Sequence, residues 1–129
     1  MKDLITQPTI MGAIVGDIAG SRFEFNPNRN KNFDLLVKGE HCLDPKQPFY
    51  EYKTTCHYTD DTVLTIAVAN ALLEANGNYE NLGELTVKNM KHFGNKYSLA
   101  GYGAKFNTWL RLPNPAPYYS YGNGSAMRI

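Results

Sequence analysis

Thr59-Asp60-Asp61-Thr62-Val63-Leu64-Thr65-Ile66-Ala67-Val68-Ala69-Asn70-Ala71-Leu72-Leu73-Glu74-Ala75 is the stretch whose reading decides the fold. From residue 63 to 75, Val63, Leu64, Ile66, Ala67, Val68, Ala71, Leu72 and Ala75 leave almost no polar face. A helix that is apolar nearly all round is buried in a bundle. Gly77 supplies its stop. The four residues ahead of it admit two readings. Thr59 is a good N-cap residue, and acidic side chains in a first turn are favoured by the helix dipole. Equally, adjacent carboxylates with a hydroxyl on each side are the oxygen donors that a hard cation such as Mg²⁺ takes. If the helix is buried, its N-terminus is buried too, and two carboxylates there without a cation are costly. The residues alone leave cap and metal site both standing.

Outward from this stretch the pattern stays helical. Residues 79–97 read as an amphipathic helix, with Leu82, Leu85, Val87, Met90 and Phe93 on one side and Glu80, Glu84, Lys88 and Lys91 on the other. Glu84 and Lys88 form a favourable i,i+4 pair. Residues 101–112 read as a short aromatic helix with Phe106, Trp109 and Leu110, ended by Pro113; Pro115 and Pro117 then keep the chain extended. Near the end, a helix opens at Ser125. On the N-terminal side, residues 10–19 read as a helix capped by Thr9, with Gly12, Gly16 and Gly20 spaced by four. Each interior glycine costs a helix about 1 kcal/mol, so the series implies close packing or function. Residues 26–55 hold no sustained period; Phe33 to Val37 reads as a short helical or extended piece. A connection of that length is often a lid or binding loop. The fold class is all-α, and residues 1–129 read as a single domain.

Bulk composition narrows the function classes. The 129 residues are 43% hydrophobic and 19% charged, an ordinary globular balance, with a formal net charge of +1. Nothing in that charge favours nucleic acid or an anionic membrane. Two cysteines, Cys42 and Cys56, are too few for a disulfide framework, and the reducing cytoplasm is the expected compartment. The apolar run after Lys2 is broken by Thr6, Gln7 and Pro8, so it is neither a signal peptide nor a span.

Three further groups bear on chemistry. Glu24 sits just past the glycine-rich helix; alone, it reads as a surface glutamate at a helix end. Asp17 is flanked by Val15, Gly16 and Ile18 and needs a partner if buried, either Arg22 or a backbone N–H. Gly122-Asn123-Gly124-Ser125 opens a helix, and glycines there let a phosphate approach free N–H groups, although the lysine of a P-loop is missing. His41-Cys42 and Cys56-His57 do not read as a zinc site, because adjacent residues rarely aim at one ion.

Taken in order, Met11-Gly12-Ala13-Ile14-Val15-Gly16-Asp17-Ile18-Ala19-Gly20-Ser21-Arg22-Phe23-Glu24, then Tyr58-Thr59-Asp60-Asp61-Thr62, then Gly122-Asn123-Gly124-Ser125-Ala126-Met127-Arg128, resemble the ADP-ribosylglycohydrolase family, which includes the dinitrogenase reductase-activating glycohydrolase. The likeness runs over nearly the whole chain. It implies an all-α helical bundle with a binuclear Mg²⁺ (or Mn²⁺) site that cleaves the glycosidic bond of ADP-ribose attached to a protein side chain or small molecule. By the same likeness Thr59, Asp60 and Asp61 are metal ligands, and Glu24 and Asp61 carry the catalytic role. Gly122, Asn123, Gly124 and Ser125 cradle the phosphates and ribose, with Tyr121 packed on adenine or ribose. Glycoside cleavage passes through an oxocarbenium-like state, which a carboxylate and an activated water assist. Family members are about twice this length, within the size of a single-core domain. Their second metal motif, rich in Asp, lies in a C-terminal half that this sequence does not contain. The chain therefore reads as the N-terminal half of such an enzyme, with its second metal site incomplete.

Three functions stay open from the sequence. One is a metal-dependent ADP-ribosyl hydrolase acting on an ADP-ribosylated protein or small molecule. Another is a catalytically incomplete ADP-ribose-binding pseudoenzyme. The last is a fragment that self-associates or recruits a partner chain through apolar residues such as Ala126, Met127 and Ile129.

Overall fold

The computed structural model describes residues 9–25, 27, 29–37 and 55–128. Its α-helices are α1 (Thr9–Gly20), α2 (Asp60–Ala75), α3 (Leu82–Lys96) and α4 (Ala104–Arg111), with 3₁₀ turns at Ser21–Phe23 and Gly124–Arg128. Among the described residues there is no strand, and the fold is all-α. The long connection expected over residues 26–55, with His41 and Cys42, falls largely outside the described residues; Phe33 to Val37 is not helical. The α-helix expected to open at Ser125 is instead a 3₁₀ turn that starts at Gly124.

The chain forms two compact units, Met1–Thr62 and Val63–Ile129, with the division inside α2. In the first unit, the C-terminal end of α1 meets the segment that leads into α2. Ala19, Ser21, Cys56, Thr59 and Thr62 are the buried residues there. The Ser21 hydroxyl donates to the Ile18 carbonyl (2.9 Å) and accepts the His57 N–H (3.1 Å), so one serine closes α1 and holds the incoming strand of chain. Cys56 N–H donates to the Val37 carbonyl (2.9 Å), and Val37 N–H donates back to the Cys56 sulfur (3.1 Å). The rest of α1 is open. Ile10, Met11 and Val15 are exposed, and a Cβ placed on Gly12, Gly16 or Gly20 would meet no atom of another element within 4 Å among the described residues. The close packing that the glycine spacing implied is not made within the described residues.

In the second unit, α2 buries Val63, Leu64, Ala67, Ala71 and Ala75, a stripe at steps of three and four that points one way. Leu72 and Leu73 lie on the other side and are exposed, so the helix expected to be buried all round is buried on one face. α2 ends at Ala75, and the chain turns away through Asn76 at φ +47° and Gly77, whose φ of +88° is open to glycine and strained for other residues. α3 and α4 pack closely. A Cβ on Gly94 would sit 2.7 and 2.9 Å from the two δ-methyls of Leu110, so glycine sets that approach. Leu110 and Trp109 complete the core, and the Trp109 indole N–H donates to the Ala116 carbonyl (2.9 Å), fastening the proline-rich run to α4. Asn70 on α2 donates to the buried Asn89 on α3 at 2.7 Å. Lys88 pairs with Glu74 of α2 at 2.9 Å instead of with Glu84 on its own helix. No helix among the described residues is long and apolar enough to cross a membrane.

Candidate functional site

The first turn of α2 leaves backbone N–H groups that no helical carbonyl can reach. Thr59 stands at the N-cap, and its hydroxyl accepts the Asp61 N–H at 3.2 Å. The Thr59 and Thr62 N–H groups turn to a side chain far back in the chain. Asp17 of α1 accepts the Thr59 N–H on Oδ2 at 2.8 Å and the Thr62 N–H on the same oxygen at 3.2 Å. It also accepts both hydroxyls, Thr59 Oγ1 on Oδ1 at 2.6 Å and Thr62 Oγ1 on Oδ2 at 2.5 Å. Of the two partners expected for Asp17, the backbone N–H is the one used.

Arg22 goes elsewhere. Its guanidinium donates to the Asp34 carbonyl and lies 4.5 Å from the centre of the Phe23 ring and 5.8 Å from that of Phe33. The two rings meet edge to face at 5.0 Å. This cation–aromatic cluster ties residues 29–37 to the turn that carries Glu24.

Thr59 and Asp17 thus cap the first turn, which carries the Asp60 and Asp61 carboxylates. They stand half-buried in the first turn, at the positive end of the helix dipole. Glu24 follows the 3₁₀ turn, with its N–H on the Ser21 carbonyl (3.3 Å). Partial burial, and then the negative charges of Asp61 and Asp17, hold the Glu24 carboxyl above the ordinary glutamate range; His57 opposes them. The His57 ring is oriented by a contact between Nδ1 and the Thr55 carbonyl at 3.1 Å. Glu24, Asp61, Asp17 and His57, taken from three stretches of chain, therefore share one field within the first unit.

A hard cation suits this donor chemistry. Asp60 and Asp61 offer carboxylate oxygens. The Thr59 hydroxyl, which donates to Asp17 and accepts from Asp61, keeps one lone pair. Among the described residues, no three His, Cys, Asp or Glu side chains gather as a metal-binding group. If a cation binds here, these residues would form part of its shell, completed by substrate, water or other donors.

The expected phosphate cradle lies in the second unit. Gly122 N–H donates to the Ser120 hydroxyl (3.1 Å), and Ala126 N–H to the Asn123 carbonyl (3.0 Å). Gly124 and Ser125 open a 3₁₀ turn in place of an α-helix. Tyr121 is fully exposed, and the Lys105 ammonium lies 5.4 Å from the centre of its ring. Thr62, which the sequence offers only as one of the two hydroxyls flanking the acids, turns both its N–H and its hydroxyl to Asp17. No short-range pattern announces this contact, because its partner lies 45 residues back.

A family model described as ADP-ribosylglycohydrolase matches residues 6–129. No curated protein and no solved structure matches the chain.

Proposed function

The chain belongs to the ADP-ribosylglycohydrolase family, and from that premise we propose that it hydrolyses the glycosidic bond between ADP-ribose and a protein side chain or small molecule, with Mg²⁺ or Mn²⁺ as cofactor. The observation that carries this reading is Glu24 within electrostatic reach of Asp61 and Asp17, its carboxyl raised by burial and by their charge. A carboxyl of that kind takes and releases a proton nearer neutral pH than an ordinary glutamate, as a general base in glycoside cleavage requires. Asp60, Asp61 and Thr59 would hold the cation, which when bound supplies positive charge to orient the ribose hydroxyls. Asp61 then lies between the two tasks, as ligand and as the neighbour that tunes Glu24. Gly122, Asn123, Gly124 and Ser125, with Tyr121, would contact the phosphates, ribose and adenine, and a fully exposed tyrosine is suited to stacking on a base. The setting we propose is the cytoplasm.

Incubation with ADP-ribosylated arginine or serine peptide and Mg²⁺ tests the reading. Release of ADP-ribose, lost in Asp60→Asn and Asp61→Asn, is expected; no release at high enzyme concentration would sink it. A second reading is favoured by the absence of a three-residue ligand group among the described residues: the chain binds ADP-ribose without cleaving it. Calorimetry separates the two, since heat of binding without turnover supports the second reading alone.

A further inference from the structure

We propose that Asp17 is the positioning residue of the acidic pair, holding the first turn of α2 so that Asp60, Asp61 and the spare lone pair of Thr59 face a cation together. The inference rests on the cation reading above and adds to it a residue outside the ligand set. Four hydrogen bonds converge on this one carboxylate, from the N–H and hydroxyl of Thr59 and the N–H and hydroxyl of Thr62. Both threonines are buried, so these bonds are shielded from competing water. Asp60 and Asp61 lie between the two threonines in sequence. Fixing residues 59 and 62 therefore fixes the backbone that aims both acids.

The Thr59 hydroxyl makes the coupling specific. Because it gives its proton to Asp17 and accepts the Asp61 N–H, its remaining lone pair is the one available to a cation. Partners of this kind, once removed, typically weaken metal affinity about 10–100-fold. Asp17→Asn sharpens the test. Its amide oxygen can occupy the Oδ2 place and keep the three bonds made there. Its NH₂ then faces Thr59 Oγ1 and takes that lone pair. The first turn stays folded while the cation loses a donor.

The experiment titrates Mn²⁺ into the wild-type chain, D17N and Thr62→Val, reading free Mn²⁺ by electron paramagnetic resonance. Amide exchange at residues 59–62 is followed without metal in wild type, Asp17→Ala and T62V. We expect D17N to bind Mn²⁺ about 10-fold or more weakly. In D17A the Thr59 and Thr62 amides are expected to exchange at least about 10-fold faster, while amides of α3 keep their protection. If D17A does not fold, T62V carries the exchange arm, with faster exchange at the amide of residue 62. D17N binding Mn²⁺ as tightly as wild type overturns the inference. If wild type binds no Mn²⁺, the cation reading falls, and exchange alone decides for Asp17: loss of protection at Thr59 and Thr62 supports the positioning role, and unchanged protection overturns it.

Discussion

Glu24 is a residue whose ionisation depends on its neighbours. Its folded-state pKa lies above the ordinary value, through burial first and the charges of Asp61 and Asp17 next. Where the folded pKa is raised, the native state holds its proton more tightly than the unfolded chain. The associated stability is then fully present below the unfolded-state value and is lost as pH rises through the folded-state value. Glu24→Gln cannot lose it. In urea denaturation E24Q is expected to have the higher midpoint at pH 7, with the gap closing at pH values below the ordinary glutamate range. A wild type at least as stable as E24Q at pH 7 would remove like-charge strain as the account of this site. In the ADP-ribose release assay the same variant is expected to be inactive, so stability and activity move in opposite directions. Asp17 teaches a related point about legibility. Its need for a partner could be read from its apolar flanks, but the choice between Arg22 and a backbone N–H could not. That choice depends on where residues 59–62 pass, and Arg22 had a better use against Phe23 and Phe33.

At the scale of elements, the helices follow from periodicity and from the residues that end them. α3 was expected over residues 79–97 and runs from Leu82 to Lys96; α4 ends one residue before Leu112, as a following proline demands. What holds them together was less visible. A glycine inside a helix costs it about 1 kcal/mol, yet Gly94 is the surface on which Leu110 rests. Gly94→Ala gains about 1 kcal/mol of helix propensity, but overpacking a buried contact costs about 1–3 kcal/mol. Both δ-methyls and Cγ of Leu110 crowd the new Cβ, so rotating the side chain merely exchanges one methyl for the other. A net loss of about 1 kcal/mol is expected in thermal unfolding, recovered in part by adding Leu110→Val; a more stable G94A would show that α4 can simply move away. The Asn70–Asn89 pair is a second hidden joint. Asn70→Ala leaves the buried Asn89 oxygen without that donor and is expected to cost about 1–3 kcal/mol. A neutral result would mean water replaces the amide. Polar residues within an apolar helix carry no mark in the sequence that says which facing residue they will meet.

For the molecule as a whole, the apolar side chains left open set the expectation. Ile10, Met11 and Val15 on α1 and Leu72 and Leu73 on α2 are exposed, where such residues more often find cover. Concentration-dependent association is expected in sedimentation equilibrium, weakened by Met11→Lys or Leu73→Lys; a single monomeric species at all concentrations would count against it. The all-α class, the approximate helix spans, the stop at Gly77 and the order of the three motifs were settled by the sequence itself, because each depends on neighbours within a few residues: hydrogen bonds to i−4, side-chain period, cap and breaker. Three other facts belonged to the tertiary structure. Asp17 caps α2 across 42 positions, α2 buries one face and not all of them, and the glycine edge of α1 stands open. Each of these is a meeting, or a failure to meet, between distant parts of the chain. Local propensity does not encode such meetings; the path of the backbone through space decides them.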